Sequence, residues 1–222
     1  MEAWKLRGHA YFHMDSYFDC EESYIRAIRI SGSEVDPELE ERLGLIYIKR
    51  KSWKDAKVVF LKRVGEGISA SSWKNLGLAL LKLNELSQAE EALTQANILD
   101  NLNAEVWGLL TIMCLQSGEK RIIQARQAMV EAMKLGLENP ELLGEIGELF
   151  GLTSEKDNLG VECLHKAIEC KSDFKQLMYV IPEFEVVTID GFCVSRHFMR
   201  AYHMHLLTSR RVDARICVMM LL

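Results

Sequence analysis

The sequence has little proline, no apolar run of about eighteen residues, and no cysteine pair of the CxxC kind. Without such a run no membrane-spanning helix is predicted, and the amino terminus lacks the apolar core of a signal peptide. The closest two of the six cysteines, Cys163 and Cys170, are seven positions apart, so they indicate neither a zinc site nor a disulfide framework. We therefore expect reduced thiols and a cytoplasmic protein.

Basic residues are also in deficit. The 222 residues include 27 Lys and Arg against 32 Asp and Glu, a formal charge of −5. Because binding to a phosphate backbone needs clustered Lys and Arg, this composition argues against a nucleic-acid partner. The hydrophobic share of 49% is typical of a folded globular domain and argues against disorder.

Catalytic motifs are missing as well. The sequence has no glycine-rich phosphate loop and no nucleophile elbow. His9 and His13 lie four positions apart on a predicted helix, a spacing that can bind a metal, but no third ligand is evident and protein zinc sites use three or four. We therefore predict no catalytic residue, no cofactor and no metal, and the enzyme hypothesis is disfavoured.

What the sequence does have is a repeated helical rhythm. In residues 73–96, WKNLGLALLKLNELSQAEEALTQA, one face of a first predicted helix carries Trp73, Leu76, Gly77 and Leu80. A polar segment predicts a turn, after which a second helix carries Ala89, Leu93 and Ala96 on one face. This pattern predicts a helical hairpin.

The same rhythm occurs five times. Its register positions are Gly8, Gly44, Gly77, Thr111 and Gly147, which are 36, 33, 34 and 36 positions apart by subtraction. Those steps scatter around the period of about 34 residues that characterises one class of helical repeat. Small residues at these positions let two helices approach closely, and larger residues fill the holes between them.

This pattern resembles the tetratricopeptide repeat (TPR) from Met1 to about residue 174, and it is matched best in the first and third copies. The departures are Arg63, Thr111 and Gly160, each in place of a glycine or alanine. The resemblance implies an all-α protein, a right-handed α-solenoid of about five TPR helical hairpins. We expect hairpins at about 1–34, 37–70, 71–102, 104–138 and 140–174.

The resemblance also implies a concave groove lined by the first helix of each hairpin. The side chains expected there are Lys5, His9, Phe12 and His13; Glu41, Leu45, Ile48 and Lys49; Lys74, Leu78, Leu81 and Lys82; and Gly108, Ile112, Leu115 and Gln116. This aliphatic stripe edged by lysines suits a protein partner, an amphipathic helix or an extended segment with apolar anchors and acidic neighbours. The alternative is that several of these leucines pack between helices.

TPR proteins that bind chaperones hold a terminal carboxylate with lysine, asparagine and arginine side chains. Here Lys5 matches the first of these positions, but His9 and Arg42 replace asparagines, and Ser71 and Asn75 replace the closing lysine and arginine. A role as a co-chaperone is therefore disfavoured.

Residues 175–222 have no repeat register. The stretch EFEVVTI, residues 183–189, alternates like a strand, but we expect it to find no strand to pair with in an α-solenoid. We expect an irregular C-terminal tail, poorly ordered or non-native. One interpretation is a cap for the open end of the array. The favoured one is that the chain is a fragment of a longer array, with a tail from alternative splicing, a retained intron or vector translation.

Residues 73–81, 92–99 and 103–115 are similar to the C-terminal repeat array of the family of cilia- and flagella-associated protein seventy. That resemblance implies a structural component of the motile axoneme of a cilium or flagellum, with axonemal proteins as partners. Two functions remain open. The first is a non-catalytic scaffold in a cilium or flagellum. The second is a soluble TPR adaptor in protein transport or chaperone-linked assembly.

Overall fold

The computed structural model describes residues 1–32, 36–67, 69–153 and 158–170, together with the backbone of residues 186–189 and 192–195. The described residues form ten α-helices and a short β-hairpin. The helices are α1 Glu2–His13, α2 Tyr17–Ser31, α3 Pro37–Lys49, α4 Trp53–Glu66, α5 Ala70–Lys82, α6 Leu86–Leu99, α7 Ala104–Gln116, α8 Ile122–Lys134, α9 Pro140–Thr153 and α10 Asn158–Cys170. A 3-10 turn, Glu119–Arg121, precedes α8. The predicted all-α repeat fold is confirmed.

The chain forms two compact units, Met1–Val106 and Trp107–Leu222. In the first unit α1 packs on α2, α3 on α4 and α5 on α6, and each pair also contacts the next. In the second unit α9 packs on α10. Because no hairpin of this kind can bury its apolar face alone, each unit gains its core from stacked neighbours.

Helix starts follow local capping chemistry. The Asp36 carboxylate accepts a hydrogen bond from the Glu38 backbone N–H at 3.0 Å, and Pro37 occupies the first position of α3. A proline there loses no hydrogen bond, because the first amides of a helix have no carbonyl partner within it. The Ser69 hydroxyl accepts from the Ser72 N–H at the start of α5. These caps set where the two helices begin.

The turns inside the hairpins share one backbone geometry. Asp15, Lys51 and Asn84 follow α1, α3 and α5 and have φ of 54°, 59° and 60°. After each, a backbone N–H returns to a carbonyl five residues earlier, as from Ser52 to Tyr47 at 2.8 Å. This is the left-handed helix ending that closes the last carbonyls of a helix. It reverses the chain between the two helices of each hairpin.

The tail prediction needs one correction. β1, Val186–Ile189, pairs antiparallel with β2, Phe192–Ser195, with Val187 opposite Val194. The prediction that the strand-like stretch finds no partner is therefore wrong, because the partner follows after only two residues. The sequence Asp-Gly at 190–191, between the two strands, is a strong signal for a hairpin of this kind. The rest of the predicted tail lies outside the described residues.

Candidate functional site

The first helices of the first three hairpins lie side by side in the first unit. Nζ of Lys5 in α1 is 2.5 Å from Oδ2 of Asp36, the residue that caps α3. Helices α3 and α5 are in contact. Nζ of Lys74 in α5 is likewise 2.5 Å from Oε2 of Glu105 in the first turn of α7. The two ion pairs join equivalent positions of successive hairpins, 31 residues apart in both cases.

Five of the predicted groove residues form an accessible apolar strip on α1, α3 and α5. We call them the groove strip: His9, Phe12, Leu45, Ile48 and Leu78, all of them half-buried. Residues four and three positions apart share a helix face, so His9 and Phe12 lie on the same side of α1, as do Leu45 and Ile48 on α3. Half-buried aliphatic side chains of this kind keep apolar surface available to a partner.

Three predicted groove residues are instead buried. Leu81, Ile112 and Leu115 are 3%, 1% and 5% exposed, so their assignment to the groove surface is corrected and they belong to the core, as the alternative expected. The physical reason is clearest for α7, AEVWGLLTIMCLQ, which carries a single charged residue. A helix that is apolar on most sides buries most of its residues. In the same helix Gly108 is buried, and Gln116 is half-buried.

The four lysines predicted to edge the groove differ in how far they are exposed. Lys5 and Lys74 are half-buried and committed to Asp36 and Glu105. Lys49 and Lys82 are exposed, as is His13. We call these three the basic row: His13, Lys49 and Lys82, the last residues of α1, α3 and α5. Glu41 is half-buried on α3, four residues before Leu45 and two turns before Lys49.

His9 lies at one end of the groove strip. Its imidazole meets the ring of Tyr24 edge to face, with centroids 5.6 Å apart. Burial lowers the pKa of His9, and the nearby positive charges of Arg42 and Lys5 lower it further against the opposing effect of Glu38. The neutral imidazole is therefore the form that this packing favours.

Two of the side chains at the carboxylate-clamp positions are already engaged in ion pairs. Arg42 donates to the Glu38 carboxylate from Nη2 at 2.8 Å and from Nε at 3.0 Å, and Glu38 raises the pKa of Arg42. Lys5 is paired with Asp36, and Asn75 is 5% exposed. An incoming terminal carboxylate would have to displace two existing carboxylates.

The described residues contain no group of three or more His, Cys, Asp or Glu side chains arranged to hold a metal ion. His9 and His13 are thus a pair without a third ligand within that part of the chain. No helix among the described residues combines the length and the apolar character needed to cross a membrane.

Two acidic side chains at the candidate site are missed by the sequence analysis. Asp36 and Glu105 pair with Lys5 and Lys74, two of the lysines predicted to line the groove. In both pairs the acid follows the lysine by 31 residues and lies at the start of the first helix of the next hairpin. This shared spacing is the sequence signal that predicts the two ion pairs. The arrangement as a whole offers an apolar strip with a basic row along one side. It suits contact with a protein segment.

Solved structures place this fold in a class. MamA residues 41 to the end from Desulfovibrio magneticus RS-1 superpose with a TM-score of 0.61, at 16% identity, over 81% of this chain and 97% of MamA. TTC0263, a TPR protein of Thermus thermophilus, superposes with a TM-score of 0.61 at 18% identity, over 76% of this chain and 92% of TTC0263. YrrB, described as a TPR protein with an unusual peptide-binding site, superposes with a TM-score of 0.53 at 18% identity, over 76% of this chain and 84% of YrrB. The protein is a TPR α-solenoid.

Sequence comparison gives the family. Residues 1–185 match the family described as cilia and flagella-associated protein 70 C-terminal domain, and the chain belongs to that family. The human cilia- and flagella-associated protein 70 is 38% identical over 148 residues, which are 66% of this chain and 13% of the human protein. The protein of Macaca fascicularis is 43% identical over 108 residues, 49% of this chain and 10% of its own length. The chain thus corresponds to a small part of these relatives. The family match ends 11 residues beyond the predicted end of the array at 174.

Proposed function

We propose that this chain is a non-catalytic scaffold that holds a segment of a partner protein on the groove strip. The observation that carries the proposal is the accessible strip on three neighbouring first helices, where His9, Leu45 and Leu78 are half-buried at equivalent positions. A partner segment gains affinity by burying such surface, and regular spacing along the array gives it several anchor points. Leu45 and Leu78 are the central anchors.

The fold class supports an interaction role. YrrB, with the same class of fold, is described as having a peptide-binding site, so helical hairpins stacked in this way can present a surface to a peptide. TPR arrays expose long continuous surfaces because each repeat contacts only its neighbours. The position of the peptide on this chain is our inference from the groove strip.

The family match supports a proposal about where in the cell the scaffold acts. Its described member proteins are cilia- and flagella-associated, and this chain belongs to the family of their C-terminal domain. We therefore propose that the protein works in the axoneme of a cilium or flagellum, where it supports motility by docking axonemal proteins.

The test is affinity purification from ciliated cells with the full chain as bait. Leu45→Glu combined with Leu78→Glu places charge in the groove strip and should lose axonemal partners. The matched control is Val58→Glu with Ile98→Glu. Both are 68% exposed, and they lie on the second helices α4 and α6 of the same unit, away from the strip. Far-UV circular dichroism must show equal helicity for all baits.

The expected result is recovery of axonemal proteins by the wild-type and control baits but not by the groove variant. Equal recovery by all three baits would overturn the groove assignment. Recovery of transport or chaperone components in place of axonemal ones would overturn the ciliary role and favour a soluble adaptor.

A further inference from the structure

Positive charge is concentrated at the turn between α3 and α4. Residues 49–54 read KRKSWK, in a chain whose formal charge is −5. We call the four basic residues of this stretch the basic turn: Lys49, Arg50, Lys51 and Lys54, all of them exposed. A cluster of one sign on a chain of the opposite overall sign attracts a partner that carries the complementary charge.

Ion pairing within the chain accounts for only part of this charge. Arg50 pairs with the Glu21 carboxylate of α2. The other three side chains of the basic turn, all lysines, form no ion pair with a carboxylate of the described residues. Asp55 directly follows the basic turn in the sequence and is exposed. Three ammonium groups against this one carboxylate leave a positively charged surface.

The repeat itself does not require these charges. At the position of Lys51 the neighbouring hairpins carry Asp15 and Asn84, and all three residues have positive φ. Asn and Asp tolerate that left-handed conformation better than most residues with a Cβ atom, so lysine is unfavourable there. Lys54 likewise corresponds to Ser87 in the third hairpin. A charged residue in a strained conformation that the fold does not require indicates a function at this turn.

An exposed aromatic ring lies beside the basic turn. The Phe18 side chain of α2 is 70% exposed, and Cζ of Arg50 is 5.7 Å from the centroid of its ring. The ion pair with Glu21, on the same helix as Phe18, holds Arg50 in this place. Aromatic side chains and arginine are enriched in protein interfaces. Phe18 thus adds an apolar contact to a surface that is otherwise ionic.

We propose that the basic turn and Phe18 together bind an acidic segment of a partner protein, one with successive carboxylates and an apolar side chain beside them. The carboxylates pair with Lys51 and Lys54, and the apolar side chain covers the ring of Phe18. This surface shares no residue with the groove strip and is a second binding surface of the scaffold. A long polyanion such as a nucleic acid suits it less, because Asp15 and Asp55 lie close to Phe18 and Lys54 in the sequence and repel a phosphate backbone.

The experiment measures the fluorescence anisotropy of a labelled peptide of glutamates with one central phenylalanine, titrated with the full chain at low ionic strength. The test variant is Lys51→Asn with Lys54→Ser, which introduces the residues of the third hairpin at the same positions. The matched control is Arg29→Gln with Lys120→Gln, which removes two charges from exposed sites outside the basic turn. Phe18→Ser tests the aromatic contact.

The control should bind the peptide within about twofold of the wild type, because exposed charges outside an interface contribute little. The test variant should bind at least about fivefold more weakly, since two exposed ion pairs are lost. Phe18→Ser should also weaken binding. Thermal melts should show the test variant to be at least as stable as the wild type, because asparagine tolerates positive φ better than lysine. If it melts lower, Lys51→Gln with Lys54→Gln gives a second comparison.

Equal binding by the test variant and the control would overturn the proposal, and so would unchanged binding after Phe18→Ser. A peptide with glutamine in place of every glutamate should not bind, and full binding by it would show that charge is not what the lysines contribute. An oligothymidine of matched charge that binds as tightly as the acidic peptide would replace the protein segment with a general polyanion. Leu45→Gln with Leu78→Gln should leave the affinity unchanged, whereas a loss would place the peptide on the groove strip instead.

Discussion

A Cβ atom added to Gly44 of α3 would lie 2.6 Å from Cζ of Phe60 in α4. Phe60 is fully buried, so its ring occupies the space that any larger residue at position 44 would need. Gly77 meets Leu93 in the same way, and Gly147 meets Leu164, with distances of 2.5 and 2.7 Å. Each pair joins the two helices of one hairpin. Close approach at this point is what lets the hairpins stack at a constant spacing.

We predict that Gly44→Ala destabilises the first unit by about 1–3 kcal/mol, because overpacking a buried ring exceeds the helix propensity that alanine gains. The matched control is Gly65→Ala near the end of α4, where an added Cβ meets nothing within 4 Å. Gly65→Ala should raise the free energy of unfolding by about 0.5–1 kcal/mol. Urea unfolding followed by circular dichroism measures both, and a stable Gly44→Ala variant would contradict the packing argument.

The sequence showed this small-to-large pairing because it is encoded locally, by residue type at a constant step such as Gly77 to Leu93. The sequence pattern of a single repeat does not predict the burial of Ile112. A groove position becomes a core position when the helix carrying it is enclosed, and that depends on neighbouring hairpins as well as on its own pattern. The ion pair between Lys74 and Glu105 likewise crosses between hairpins, so a reading of one repeat at a time misses it.

The hairpin turns give a second prediction. Lys51 has a φ of 59°, a left-handed conformation that strains a residue with a Cβ atom. Lys51→Gly should therefore stabilise the protein by about 0.5–1 kcal/mol, the relief of strain being partly offset by the larger entropy of glycine in the unfolded chain. Gly118 has a φ of 103°, and Gly118→Ala should destabilise by a similar amount. Thermal melts of both variants test this, and shifts of the same sign would contradict it.

The third prediction separates two roles of Asp36. Asp36→Ala removes both the cap of α3 and the carboxylate that binds Lys5. It should lower the free energy of unfolding by about 1 kcal/mol or more. Asp36→Asn keeps the cap and should cost less. The hydrogen bond from Lys5 lowers the pKa of Asp36, helped by the Glu38 backbone N–H. The stability it contributes is thus present above the unfolded carboxyl pKa of about 4 and is lost as the pH falls through the lower folded value.

Urea unfolding of the wild type and Asp36→Asn at about pH 7 and about pH 3 tests the linkage, since only the wild type has the carboxylate that titrates. The stability gap between the two should narrow in acid. A gap that widens as the pH falls would show that the Lys5 contact does not favour the ionised carboxylate.

The fourth prediction concerns Glu148 in α9 of the second unit. Its Oε1 atom is buried and finds no hydrogen-bond partner among the described residues. Burial raises the pKa of Glu148, and the charge of Glu145 raises it further. Because the folded pKa lies above the unfolded one, the ionised carboxylate opposes folding at neutral pH, and this cost disappears as the pH falls below the unfolded value of about 4.3.

Glu148→Gln should therefore raise the melting temperature by about one to three degrees at neutral pH and leave it unchanged at about pH 4. Glu141→Gln is the control, because Glu141 is exposed in the first turn of α9, where a negative charge favours the helix. That change should lower the melting temperature slightly at neutral pH, opposite in sign to Glu148→Gln. If Glu148→Gln also lowers it, the carboxylate stabilises the second unit, and its burial is then compensated by interactions that favour the ionised form.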